Sequence, residues 1–149
     1  MVELAVEDNP DFAVSALEIE RQGLSYTVDT IATYLRQFPQ AEIFFIIGVD
    51  ALRFINTWKN VERLAQICTF IVVTRPGCQL NRVDECFRAV PDLIWQQMIF
   101  IPVPGVLISS TDLRERIAAG KTIKYLVPPA VEQYIVNHNL YKGQGMAHD

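Results

Sequence analysis

The stretch Glu42-Ile43-Phe44-Phe45-Ile46-Ile47-Gly48-Val49-Asp50 decides the reading of this chain. β-Branched and aromatic residues run almost unbroken from Ile43 to Ile47 and stop at a glycine. A continuous apolar run of that kind suits a strand of a parallel sheet covered on both faces. In open α/β sheets, ligands bind beyond the carboxyl ends of the strands, so the residues directly after this run are candidate site residues. Gly48 permits close backbone approach, and the Asp50 carboxylate can accept hydrogen bonds from a ribose or another polar ligand group. The simpler alternative is a turn glycine followed by an N-cap aspartate, and spacing alone favours it.

Working outward, two more runs share the pattern. Thr69-Phe70-Ile71-Val72-Val73-Thr74 ends at Arg75-Pro76-Gly77, and Met98 to Gly105 contains Pro102 and Pro104. The prolines predict an edge or short strand for the latter. Phe12 to Ile19 is strand-like, with a change of apolar phase between Ala16 and Leu17 that predicts a bulge. Thr27 to Phe38 places Val28, Ile31, Ala32, Leu35 and Phe38 on one helical face. Further helical patterns are Val61-Leu64-Ala65-Cys68, Val83-Cys86-Phe87-Val90, Leu113-Ile117-Ala118 and Val131-Tyr134-Ile135. Glu3 to Glu7 reads as the end of a helix stopped by Asn9-Pro10. Strands alternating with helices predict an α/β fold with a parallel sheet and right-handed crossovers. Residues 1–141 read as one domain, followed by a frayed tail over 142–149.

The 149 residues amount to about one domain. Half are apolar and a fifth charged, which excludes a disordered chain. Thirteen basic against seventeen acidic residues leave a charge of −4, so no nucleic-acid partner is expected, because that needs a basic face. The apolar runs fall far short of the roughly 20 residues that span a bilayer, so no membrane partner is expected. The acidic start, Met1 to Asp8, lacks the marks of a signal peptide. Three cysteines, with no CxxC pair, indicate neither a disulfide framework nor a zinc site. The expectation is a reducing cytoplasm.

Chemistry concentrates at three places. Ile108-Ser109-Ser110-Thr111-Asp112-Leu113-Arg114 opens a helix with three consecutive hydroxyl residues. The first-turn N–H groups of a helix lack intrahelical partners and attract phosphate oxygens, and Arg114 lies one turn further in. Equally, Ser109 with Asp112, or Thr111 with Glu115, would form a capping box that satisfies the same groups. Ser25-Tyr26-Thr27-Val28-Asp29-Thr30 opens another helix with hydroxyls at its cap. Thr57-Trp58 offers a ring that could stack on a heteroaromatic ligand, although core filling is the commoner fate of tryptophan. Lys121 and Lys124 read as solvated. His138, near the end of the last helix, reads as a structural cap. No GxGxxG follows a strand and no GxxxxGK[ST] occurs, so the common dinucleotide and P-loop fingerprints are absent.

Together these residues resemble the bacterial nicotinate-nucleotide adenylyltransferase family of the nucleotidyltransferase superfamily, which has a Rossmann-like fold. The resemblance runs to about Tyr141. It is carried by Ser25-Tyr26-Thr27-x-x-Thr30, Ile47-Gly48-x-Asp50-Ala51, Thr57-Trp58, Val73-Thr74-Arg75-Pro76-Gly77 and Ile108-Ser109-Ser110-Thr111-x-x-Arg114. Tyr125-Leu126-Val127-Pro128-x-x-Val131-x-x-Tyr134-Ile135 completes it. It implies transfer of AMP from ATP to nicotinate mononucleotide, giving deamido-NAD and pyrophosphate. It implies that Ser109, Ser110, Thr111 and Arg114 hold ATP phosphates, that Ile108 belongs to the same ATP site and that Gly48 and Asp50 lie at the adenosine. Tyr26 and Thr27 would offer backbone groups to the nicotinate carboxylate, Trp58 would lie on or beside the pyridine ring, and Arg75 would join this subsite. Mg²⁺ would arrive on the ATP phosphates rather than on protein ligands. A homo-oligomer is compatible with all of this.

The family begins with a strand and a Gly-x-Phe-x-Pro-x-His-x-Gly-His turn whose histidines contact ATP phosphates, and this sequence contains no such segment. The expectation is therefore an N-terminally incomplete sheet, with Met1 internal to a longer enzyme and a short paralogue as the alternative. An inactive chain is one outcome that the missing histidines allow. Without the family's first strand, Ile43 to Ile47 would gain an open apolar edge, which invites self-association. Two other functions stay open on these residues: a sibling adenylyltransferase using nicotinamide mononucleotide or phosphopantetheine, and a non-catalytic nucleotide-binding module.

Overall fold

A computed structural model describes residues 1–74, 80–104 and 108–143. The chain divides into two compact units, Ala16–Gly105 and Met1–Ser15 together with Val106–Asp149. The first holds the sheet. Strands β1 (Phe44–Gly48), β2 (Thr69–Thr74) and β3 (Ile99–Pro102) pair in parallel in the order β1-β2-β3. The register sets Phe45 beside Phe70 and Ile47 beside Val72, then Val72 beside Phe100. Helices α2 (Leu17–Glu20), α3 (Thr27–Gln37), α4 (Val49–Leu52), α5 (Val61–Ile67) and α6 (Asp92–Gln97) complete this unit.

Each element follows from its local chemistry. In α3, Val28 and Ile31 turn into the core with Leu35 packed behind them, as the three-and-four spacing predicts. Phe38 leaves that face, because it is the C-cap residue and more than half exposed. In α5, Leu64 and Ala65 are buried. On the sheet, Ile47, Phe70 and Val72 face these helices and join Leu52, Ile55, Phe87, Val90 and Ile94 in one apolar cluster. Phe70, Phe87, Leu52, Ile55, Leu64 and Ile94 are essentially sealed from water. Removing a ring such as Phe70 would cost about 3–5 kcal/mol.

The opposite sheet face differs from the expectation of double cover. Phe44 and Ile46 alternate with the inward residues along β1 and are 44% and 65% exposed, and all of β3 is exposed, with Ile99, Phe100 and Ile101 at 41–43%. β1 is an edge strand of the described sheet, as its open flank implies. An unbroken apolar run therefore marks a strand without guaranteeing that helices cover both of its faces.

Two more local readings need correction, and one helix carries no sequence signal. Phe12 to Ile19 forms no strand: residues 12–16 are irregular and residues 17–20 form α2. The phase change at Ala16-Leu17 leaves no continuous face to bury, and Phe12 and Ile19 are exposed. Thr30 Oγ1 donates to Glu18 Oε1 at 2.6 Å and accepts from Arg21 at 3.1 Å, which ties α2 to α3 instead. The pattern from Val83 to Val90 yields only a 3₁₀ turn, Glu85–Phe87. Pro91 disfavours helical geometry at the residue before it, and Phe87 and Val90 are buried by a turn while Val83 and Cys86 stay outside. Beyond Pro91, helix α6 buries Ile94, and one buried position in six residues leaves no periodic signature.

The second unit is helical in its described residues. Helix α1 (Val2–Val6), helix α7 (Ser110–Ala118) and helix α8 (Pro129–Asn137) share a cluster of Ile123, Val131 and Ile135 with Leu4, Ala5, Leu113 and Ile117. Pro129 starts α8 at a position where its missing N–H costs nothing. His138 ends it: its Nδ1 lies 2.9 Å from the Tyr134 carbonyl oxygen, and its ring stacks on Tyr134, so it caps the helix as expected. No helix among the described residues is long and apolar enough to cross a membrane.

The exposed face of β1 yields a prediction. Ile46→Lys should lower concentration-dependent self-association, read by light scattering or sedimentation velocity. It should change stability by less than about 0.5 kcal/mol, as at other exposed positions.

Candidate active site

The carboxyl end of β1 runs directly into α4, and Gly48 is the N-cap residue. Its φ is −75°, and a Cβ added there would meet no atom within 4 Å. Neither backbone strain nor a protein neighbour demands glycine there, although glycine is a common N-cap residue. The N-cap aspartate alternative fails, because Asp50 sits in the first turn of α4 rather than at its cap. Its exposed carboxylate lies 3.9 Å from the Arg53 guanidinium, a long and weak ion pair. What remains is an open backbone stretch beside an accessible carboxylate at the ligand end of a parallel strand.

A cavity of about 230 Å³ lies in the same unit, lined by Ser25, Tyr26, Thr27, Thr57, Trp58 and Lys59. It joins the start of α3 to the 3₁₀ turn Ile55–Thr57 and its C-cap residue Trp58. The sequence thus brings the Ser-Tyr-Thr block and the Thr-Trp pair together across thirty residues. No side chain caps the start of α3, and the carbonyl of Tyr26 accepts from Asp29 and Thr30. Trp58 divides its ring between cavity and core, meeting the ring edge of Phe45 at 5.9 Å and 77°. Lys59, which sequence reasoning passed over, holds its ammonium 4.3 Å from the Tyr26 ring centroid and 2.9 Å from Asp29 Oδ2. Its place directly after Trp58 carries no pattern of its own in the sequence. The space suits one substituted ring rather than the roughly 300–1,000 Å³ of a drug-sized ligand.

A larger cavity of about 470 Å³, lined by residues such as Glu42, Ile43, Cys68, Thr69 and Gln97, opens at the amino ends of the strands. It sits at the end opposite to that which ligands of open α/β sheets use. Its one titratable thiol, Cys68, is buried, donates to the Leu64 carbonyl and is pushed up from 9.0 to about 11 by burial. That thiol is protonated at neutral pH and a poor nucleophile. The smaller cavity is the one that gathers the residues singled out in the sequence.

In the helical unit, Ser109 is the N-cap of α7, and its Oγ accepts from the Asp112 N–H at 3.1 Å. Half of the expected capping box therefore forms. The other candidate pair is replaced: Thr111 Oγ1 accepts from Arg114 Nη2 at 3.2 Å, which folds the guanidinium back over the first turn. Asp112 pairs with Arg116 at 2.8 Å. Ser110, Thr111 and Arg114 are exposed, and Ile108 and Ser109 are half-buried. Exposed hydroxyls, a helix amino end and a guanidinium thus lie on one turn, donors of the kind that anions attract. Arg75 lies outside the described residues. No group of three His, Cys, Asp or Glu suited to a metal ion occurs among the described residues.

A family model described as cytidylyltransferase-like matches residues 1–116 and runs through both units. The chain belongs to the cytidylyltransferase-like family. Relatives within it are more particular. The probable nicotinate-nucleotide adenylyltransferase of Moorella thermoacetica is 48% identical over 143 residues, which cover 95% of this chain and 66% of that protein. The proteins so named from Thermoanaerobacter sp. and Thermus thermophilus are 43% and 46% identical, at 95% coverage of this chain and 68% and 70% of theirs. A Plasmodium falciparum nicotinic acid mononucleotide adenylyltransferase, complexed with NaAD, has the same fold. Its TM-score is 0.61 at 22% identity, over 80% of this chain and 58% of that one. The chain spans about two thirds of the length of these curated relatives. The Rossmann-like α/β assignment made from the sequence thus holds.

Gly48 supplies a clean test. Gly48→Ala should leave the melting temperature within about 2 °C, since its φ suits alanine and the space is open. If Gly48 lies at an adenosine, as the resemblance implies, the substitution should also weaken ATP binding, measured by calorimetry, at least about threefold. Unchanged affinity would remove Gly48 from the site.

Proposed function

We propose that this chain carries the nicotinate-nucleotide adenylyltransferase activity, making deamido-NAD and pyrophosphate from ATP and nicotinate mononucleotide. The observation that carries this reading is the small cavity of Tyr26, Thr27, Trp58 and Lys59, with aromatic walls, a cation and uncapped helix N–H groups. That combination suits a ring bearing a carboxylate. Relatives at 43–48% identity bear the name of the same activity.

In this reading the roles are these. Tyr26 and Thr27 present backbone groups to the pyridine carboxylate, and Trp58 lies against the ring. Gly48 and Asp50 accommodate the adenosine, while Ile108, Ser109, Ser110, Thr111 and Arg114 receive the ATP phosphates. Arg75 is assigned to the pyridine side by resemblance alone. A phosphate oxygen of nicotinate mononucleotide attacks the α-phosphorus of ATP. The new P–O bond forms as the bond to the bridging oxygen breaks, and pyrophosphate leaves with that electron pair. The protein aligns the two reactants and offsets developing negative charge, which is most of what such transfers require. The donor set on α7 is built for anions, so Mg²⁺ is assigned to the ATP phosphates, where it would neutralise charge on the leaving pyrophosphate. Residues 1–141 act as one nucleotidyltransferase domain in this reading. The free thiols Cys68 and Cys86 suit a reducing compartment, and the cytoplasm is the proposed location.

The test is a coupled pyrophosphate assay with ATP and each candidate acceptor. Release should require nicotinate mononucleotide, and Arg114→Ala should lower kcat/KM for ATP about 100-fold. Release with nicotinamide mononucleotide or phosphopantetheine alone would instead identify a sibling. ATP binding in calorimetry, with no pyrophosphate from any acceptor, would identify a binding module.

A further inference from the structure

We propose that Lys59 sets the preference for an acidic over an amidated pyridine nucleotide, and that Asp29 holds this preference down. The inference rests on the proposed function and extends it to two residues that neither the resemblance nor the relatives assign.

Among the described residues, Lys59 is the only cation lining the cavity of about 230 Å³. Its ammonium stands 4.3 Å from the Tyr26 ring centroid, where the ring face attracts it. It also donates to Asp29 Oδ2 at 2.9 Å. An ammonium has three N–H donors, and one contact with Asp29 leaves capacity for a second oxygen acceptor. The Lys59 and Asp29 side chains are 42% and 46% exposed, so this ion pair is weak and readily rearranged. A carboxylate on the ring of a bound ligand competes with Asp29 for the ammonium, whereas a neutral carboxamide does so far less. Discrimination follows from charge: the acid gains a hydrogen bond between two opposite charges, whereas the amide offers the ammonium only a neutral carbonyl dipole. Asp29 partly neutralises the cation in the empty site and so reduces the gain. The residue that follows Trp58 thereby becomes a specificity determinant rather than a solvated surface charge.

The experiment titrates the full chain with nicotinate mononucleotide and with nicotinamide mononucleotide, by calorimetry. It uses wild type, Lys59→Met and Asp29→Asn, each at low salt and at about 0.5 M salt. Lys59→Met should weaken binding of the acid about threefold to tenfold and leave the amide within about twofold. Asp29→Asn should act in the opposite direction and widen the preference for the acid. High salt should narrow the preference of wild type and not that of Lys59→Met. Should both variants weaken both ligands by the same factor, the pair only supports the shape of the cavity, and the inference is overturned. Should wild type favour the acid and Lys59→Met keep that preference, Lys59 is excluded while the function stands. Binding of neither ligand by folded wild type would overturn the substrate reading and this inference with it.

Discussion

The ring of Phe45 is the hinge of the account. It points from β1 toward the helices and makes two edge-on contacts, one with Phe70 at 6.0 Å on the neighbouring strand and one with Trp58 at 5.9 Å. The first belongs to the core, and the second fixes the wall of the candidate pyridine pocket. Aromatic pairs in such geometry contribute about 0.5–1.5 kcal/mol each beyond their buried area. Parallel pairing of β1 with β2, which sets Phe45 beside Phe70, therefore orients Trp58 as well. A slip of one residue would carry Phe45 to the exposed face and leave the indole without its support.

A division of labour follows. The rigid part of the sheet-bearing unit is the apolar cluster around Phe70, Leu52 and Leu64. The chemistry-bearing residues sit at its margin, where Tyr26, Lys59 and Asp29 remain open to water. The proposed phosphate site on α7 likewise presents Ser110, Thr111 and Arg114 outward while Leu113 and Ile117 pack inward. In both places the helix turns its apolar residues to a core and leaves polar residues near its amino end accessible.

Much of this was legible from residues alone, because long apolar runs and three-and-four spacings report burial directly. β1, β2, α3, α5, α7 and α8 all show themselves that way. What escaped was short or contextual. Helix α6 buries one residue and carries no period, and the strand-like reading of Phe12 to Ile19 could not reveal that its apolar side chains stay in solvent. The open outer face of β1 is a property of what packs on it, not of its own sequence. At the site, Tyr26, Thr27 and Trp58 could be named in advance, but their meeting in one cavity is tertiary. Lys59 went unnoticed for the same reason: a lone lysine after a tryptophan has no pattern until Tyr26 and Asp29 are found beside it.

The most direct measurement follows the two tryptophan indole N–H signals in a ¹H–¹⁵N spectrum while nicotinate mononucleotide is added. Trp58 lines the cavity, whereas Trp95 lies on α6 against Phe87 and serves as an internal control. The account predicts a saturable shift of the Trp58 signal with the Trp95 signal stationary. A stationary Trp58 signal, or equal drift of both, would contradict it.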